Sequence, residues 1–250
     1  MKLFLFLTHT SAAFLSSMSN PSHLSRQSNI FSSTSTTAAD SVIEDSVKID
    51  SALFTPPNDV YHSNILTDDD LITKAKEYLS ANQGVDAPDM LSADFHFFGP
   101  VVGGDGGLSK EAYLKAVGGF KITEGFPDLN PRFHHFRVDP FDGRVWFTSR
   151  AIGTHTGLLL GIHKPTGKKF STPPQACSLS FDDAGKVTKY TIGHVMDRTV
   201  GNTGGMGGIF GPLYAIGKPL PFPEAKPYSP SLRFRLFNFL GSLAQKFSKE

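Results

Sequence analysis

The sequence predicts an α+β domain in which three amino-terminal helices pack on a strongly curved, antiparallel or mixed sheet. Two observations carry this. Ahead of the strands, apolar residues recur at helical spacing in residues 67–117, whereas alternation of apolar and polar residues dominates residues 132–197. Helices that precede a run of strands, rather than alternate with them, describe helices gathered on one face of a sheet. Gly153 and Gly157 interrupt the longest alternating run, where bulges would bend the sheet and leave a cavity between its layers.

Thr67 and Asp70 form a capping-box pattern ahead of Leu71, Ile72, Ala75, Tyr78 and Leu79, which share one helical face. Asn82-Gln83-Gly84 stops that helix. A short second helix is expected over residues 88–91, followed by an aromatic strand over residues 94–98 that Gly99-Pro100 breaks. Ser109 caps a third helix, residues 110–117, with Ala112, Tyr113, Ala116 and Val117 on its face and Gly118-Gly119 at its end. Strands are then expected at 132–139, 144–156, 175–182 and 186–197. Their turns are Pro140-Phe141-Asp142-Gly143 and Asp183-Ala184-Gly185.

The ends of the chain have a different character. Residues 1–39 pair Lys2 and a short apolar run, residues 3–7, with an acid-free, Ser/Thr-rich stretch over residues 14–39. Ser11-Ala12-Ala13-Phe14 resembles the cleavage motif of bipartite presequences in algae with complex plastids, so residues 1–39 are read as a removed presequence and the protein as plastid-located. Residues 40–66, with Pro56-Pro57 and no periodicity, read as a linker into a domain spanning residues 67–200. Residues 201–231 form a Gly/Pro-rich arm, whose glycines lack the Lys-Ser/Thr of a phosphate loop and are read as a mobile flap. Residues 232–250 read as an amphipathic helix bearing Arg233, Arg235, Lys246 and Lys249, which contacts a partner, its own domain or a membrane surface.

A formal charge of +1 and the absence of a basic run with interleaved aromatics argue against nucleic acid as a partner. The single cysteine, Cys177, excludes an intrachain disulfide and falls inside a strand pattern, as a buried apolar side chain would. His134 and His135 are adjacent, so strict alternation points them apart, and no other histidine spacing suggests a metal. No metal and no cofactor are expected.

The run Gly153-Thr154-His155-Thr156-Gly157, with Gly161, Pro165-Thr166-Gly167 and the downstream Asp197, resembles the SnoaL-like branch of the nuclear transport factor 2-like superfamily. The resemblance implies a cone-shaped α+β barrel, a habit of pairing sheet faces into homodimers, and a carboxylate near the end of the last strand that removes a proton beside a carbonyl. Asp197 is the matching position, with His194 as a second catalytic candidate. A base of this kind needs a partly apolar cavity that raises its pKa. His155, Tyr190, Trp146, Phe98 and Tyr78 are the candidate substrate-binding residues. The aspartate that ketosteroid isomerases place before a proline is Gly99 here, which removes that mechanism.

Two functions follow from this reading. One is a cofactor-independent isomerase or cyclase acting on a small apolar carbonyl compound. The other is a non-catalytic plastid binding protein or assembly factor holding a small hydrophobic molecule such as a pigment, lipid or isoprenoid.

Overall fold

Thr67 begins the first helix in the way its chemistry requires. In the computed structural model, which describes residues 65–247, the Thr67 side chain accepts the Asp70 N–H while the Asp70 carboxylate accepts from the Thr67 N–H (3.1 Å) and hydroxyl (2.7 Å). The helix that follows, α1 (Asp68–Ser80), buries Leu71, Ala75 and Tyr78. It ends where Asn82, Gln83 and Gly84 all take positive φ, a conformation a right-handed helix cannot continue. Residues 1–39, read above as a presequence, and most of residues 40–66, read as a linker, lie outside the described residues.

A 3-10 turn (Pro88–Met90) leads into β1 (Leu91–Phe98), and β2 (Leu108–Ser109) folds back on it. Ser109 caps α2 (Lys110–Phe120) by accepting the Ala112 N–H. The expected stop at Gly118-Gly119 is corrected: the helix runs through both glycines to Phe120 and ends at Lys121, whose φ is +41°. Two glycines disfavour a helix by about 1 kcal/mol each, too little to end one held by Tyr113, Leu114 and Val117 against the core. A short helix that the sequence reading lacked, α3 (Ile122–Gly125), follows.

Six more strands complete the sheets: β3 (His134–Val138), β4 (Val145–Ser149), β5 (Ile152–Thr154), β6 (Lys169–Ser171), β7 (Gln175–Phe181) and β8 (Val187–Val195). The main sheet has the order β2-β1-β8-β7-β4-β3, and β5 pairs with β6 apart from it. Antiparallel pairing joins β3, β4, β7 and β8, while β8 meets β1 in parallel, so the sheet is mixed. The single strand expected over residues 144–156 is two. Arg150 leaves the ladder because its N–H donates to the Pro131 carbonyl (2.9 Å) and its carbonyl accepts from Arg132 Nε (2.8 Å).

Register decides which side chains meet the helices. Phe97, Tyr190, Leu179, Val145 and Val138 lie opposite one another across five strands, and all pack in the core with α1 and α2. Register shifts in β1, β3, β7 and β8 bend the sheet around those helices. The result is an unclosed, curved α+β architecture with helices on one face. Fully burying Tyr78, Phe95, Tyr113 and Tyr190 contributes roughly 2 kcal/mol apiece before entropy.

A second apolar cluster, Phe126, Leu159, Phe170, Leu213 and Ile216, joins α3 and the β5-β6 pair to α4 (Phe210–Ala215). The expected mobile flap is therefore corrected. Asn202 accepts the Ser171 N–H (2.8 Å) and donates to the Lys169 carbonyl (2.9 Å), and Gln175 accepts the Gly208 N–H (2.9 Å). Gly207 has no room for a side chain, because a Cβ there would meet the Gly193 carbonyl and the Gln175 amide. The glycines permit close docking onto the ends of β6, β7 and β8 rather than motion. Among the described residues, 65–228 form one unit, so the arm packs with the domain up to Tyr228.

The carboxyl-terminal helix, α5 (Leu232–Phe247), falls in the other unit and is described by itself. Ser231 accepts the Phe234 N–H on its hydroxyl (3.2 Å) and the Arg235 N–H on its carbonyl (3.0 Å). Leu232, Phe234, Leu236, Phe237, Phe239 and Leu240 are all exposed.

Candidate functional site

The ladder of β8 ends at Val195, and Asp197 lies two residues beyond it. Its Oδ1 accepts the Thr199 N–H (2.9 Å) and the Thr199 hydroxyl (2.6 Å), closing a turn. The side chain is in solvent, and the Thr199 hydroxyl, then the Thr199 N–H, hold its pKa below the ordinary carboxylate value. This corrects the expectation of a desolvated base with a raised pKa. His194 is exposed as well and pairs with Ala176 across β7. It does not join Asp197 over a common substrate position.

Between the helices and the sheet lies a connected set of phenols. Tyr190 donates to Gln83 Oε1 (2.9 Å), Tyr113 donates to the Gln83 carbonyl (2.8 Å), and the Tyr78 and Tyr113 hydroxyls are 3.2 Å apart. With the Tyr113 proton committed to Gln83, Tyr78 is the donor in that last pair. Every phenolic proton is engaged inside the protein. The rings also pack: Tyr78 and Tyr190 meet edge-on at 5.4 Å, and Phe97 lies 4.9 Å from Tyr113. Burial pushes the Tyr113 phenol up to about 12 and those of Tyr78 and Tyr190 well above their ordinary value.

Gln83 is the residue sequence reasoning missed. Its side chain and its carbonyl both receive tyrosines because its φ of +57° turns the backbone inward after α1. The signal was Asn82-Gln83-Gly84 itself, which reads as a helix stop before it reads as a hydrogen-bonding corner.

Trp146 and Phe98 do not meet Tyr78 and Tyr190. Side chains alternate along a strand, so Phe97 and Phe147 face the helices while Phe98 and Trp146 face away. On that outer side Phe98, Thr191, Ser178, Trp146 and Arg137 form a row across five strands. Lys189 Nζ sits 4.8 Å from the Phe98 ring and the Arg144 guanidinium 5.3 Å from Trp146. The five expected binding residues are thus divided among two faces and the second cluster.

His155 belongs to that second cluster. It is wholly buried against Phe126, 5.3 Å between ring centres, with Nδ1 3.0 Å from Thr166 Oγ1. Its carbonyl accepts the N–H groups of Thr166 (3.2 Å) and Gly167 (2.9 Å), so the Pro165-Thr166-Gly167 turn wraps it. Gly157 is required nearby, since a Cβ there would collide with the Glu124 carbonyl. Nε2 has no hydrogen-bond partner among the described residues. Burial lowers the imidazole pKa, with the His163 backbone opposing it more weakly, and the ring is neutral at physiological pH.

His134 and His135 come together instead of pointing apart, with ring centres 4.5 Å from each other, because His135 takes φ +57° at a register shift. Among the described residues no three ligand-type side chains gather as a metal would require. Cys177 is buried and its thiol is raised to about 12 by that burial.

No family model matches the chain, and no curated relative matches it. Solved structures do. One, assigned as a SnoaL-like polyketide cyclase from a Jannaschia species, is 16% identical over 64% of this chain and 99% of its own, with a TM-score of 0.43. AclR of Streptomyces galilaeus, assigned as a hydroxylase, is 20% identical over 74% and 99% of the two chains, with a TM-score of 0.44. A nuclear transport factor 2-like protein of Anabaena variabilis is 20% identical over 53% and 91%, with a TM-score of 0.35. The curved, unclosed α+β architecture is carried by this chain's own strand register and core, and the solved structures to which it is similar include SnoaL-like and nuclear transport factor 2-like proteins.

Proposed function

We propose that this chain is a non-catalytic, plastid-located binding protein of SnoaL-like build rather than a carboxylate-driven cyclase. One observation carries the reading. Asp197, the carboxylate at the position of the family's base, is a solvent-exposed turn cap with a lowered pKa. A carboxylate in that state is a weaker base than a free one, and nothing desolvates it for proton abstraction. The phenols that would orient a carbonyl oxygen are engaged with one another and with Gln83, which supports the same conclusion.

Binding by such a domain would use its outer surface. Phe98 and Trp146 sit in the outward row of the sheet, and a second copy placed face to face would cover them. The acid-free amino-terminal stretch supports the plastid address. A second reading is favoured by the buried, unpartnered Nε2 of His155: a neutral imidazole held by Thr166 would serve as a polar anchor for a ligand reaching the second cluster.

Native mass spectrometry of the full chain tests these readings together. The expected spectrum is a dimer without a bound small molecule, identical for Asp197→Asn. A co-purifying molecule lost on His155→Phe would establish the second reading. A molecule that appears chemically changed in the wild type and unchanged in Asp197→Asn would overturn the non-catalytic one.

A further inference from the structure

We propose that α5 is an interfacial helix that docks the protein on an anionic lipid surface. Six apolar side chains on one sixteen-residue helix are exposed, Leu232 at 79% and Phe239 at 60% among them. An isolated helix of this length is marginal in water unless its apolar side is covered. Leu232, Leu236, Phe239, Leu240 and Leu243 fall on one arc of a 3.6-residue wheel, with Arg233 and Arg235 on its two flanks.

Charge identifies the cover. Between Glu224 and Glu250 there is no acidic residue, while Lys226, Arg233, Arg235, Lys246 and Lys249 are all cationic. Arg233 and Arg235 stand in the first turn, where the helix dipole favours anions and cations weaken the helix. Two cations at the wrong end do not serve the helix itself. They serve an anionic partner, and a run of phosphate headgroups satisfies the arginines and the free N–H groups of the same turn.

The apolar arc selects a lipid surface over a soluble polyanion, because phenylalanine and leucine gain only where acyl chains accept them. The helix spans about 24 Å at 1.5 Å per residue, short of a hydrocarbon core of about 30 Å, so it lies in the interface. Among the described residues no helix is long and apolar enough to cross a membrane. Pro227 and Pro230 precede the helix, with Ser231 as its own cap, so its start is set locally.

The test is co-sedimentation of the full chain with phosphatidylcholine vesicles, with and without phosphatidylglycerol, at low and high salt. Wild type is expected to sediment with the anionic vesicles and to be released by salt. Arg233→Gln with Arg235→Gln is expected to weaken binding about thirtyfold, two cations at about 1 kcal/mol each. Leu236→Glu with Phe239→Glu is expected to abolish it while leaving the thermal midpoint of the domain unchanged.

Equal binding to neutral vesicles, or binding that survives both variants, overturns the proposal, the second because another segment then carries it. Light scattering that shows a larger assembly split by Phe239→Glu assigns the face to a second copy and overturns it as well. So does a fall in the thermal midpoint in Phe239→Glu without any vesicle binding, which assigns the helix to its own domain. A molecule found by mass spectrometry to be chemically changed in the wild type and unchanged in Asp197→Asn would overturn the non-catalytic reading and leave this proposal standing.

Discussion

A buried imidazole that is neutral when folded and free to protonate when unfolded makes stability depend on pH, and His155 is such a group. Its folded pKa is lowered by burial, so the unfolded state binds the proton more readily. The stability is fully present above the unfolded value of 6.5 and is lost as pH falls from there through the folded value. Urea midpoints measured between pH 7.5 and about 5 should therefore decline in the wild type. His155→Phe, which removes the titrating group, should flatten that part of the curve. A wild-type profile as flat as the variant's would mean the ring protonates freely in the fold.

The tyrosine set gives a second prediction at the same scale. Gln83→Ala leaves the wholly buried Tyr190 hydroxyl without its acceptor and should destabilise by about 1–3 kcal/mol. Tyr190→Phe should cost less, since half-exposed Gln83 can turn its amide to water. Once Tyr190 is phenylalanine, Gln83→Ala should add little, and a double-mutant cycle in urea reads the difference. Additive losses would show that the contact is incidental.

Among the elements, α2 and the connection between β5 and β6 demand opposite things of glycine. At Gly118 an added Cβ meets nothing within 4 Å, in the body of a helix, so Gly118→Ala should stabilise by about 0.5–1 kcal/mol. Gly157→Ala drives a methyl group into the Glu124 carbonyl and should cost about 1–3 kcal/mol. Thermal unfolding of the two variants gives the signs directly. A stabilised Gly157→Ala would mean that the contact with α3 is loose.

The same elements show what a sequence can and cannot disclose. Thr67 and Asp70 advertise α1 because a capping box is local chemistry, and the strands at 134–138, 175–181 and 187–195 follow from alternation alone. The break at Arg150 was hidden, since it depends on Pro131 and Arg132, distant in sequence, taking up its backbone groups. His135 was misread for a related reason: alternation holds only while φ stays extended. Gly118 and Gly119 were weighed by propensity, which the packing of Tyr113 and its neighbours outweighed.

For the whole molecule, the packing of residues 201–228 against the strands was not legible in the sequence. Asn202, which bonds Ser171 and Lys169, and Gln175, which accepts from Gly208, tie that segment to the strands through isolated polar contacts that leave no periodic trace. The site was legible as a set of residue types and illegible as a place. Asp197 was found by position, yet its role turns on whether the chain past Val195 dips inward or caps itself, and Thr199 decides that two residues later. Face assignment failed likewise for Trp146 and Phe98, whose neighbours Phe147 and Phe97 hold the inward places.

The parallel ladder between β1 and β8 sets the order in which this molecule can assemble. A ribbon made early stays without its flanking neighbour until residue 187 and beyond have been synthesised, so the nascent chain exposes an aromatic edge throughout. Folding in such a case is deferred to the last stretch of the domain, and a chain released short of that point has every reason to stick to its fellows.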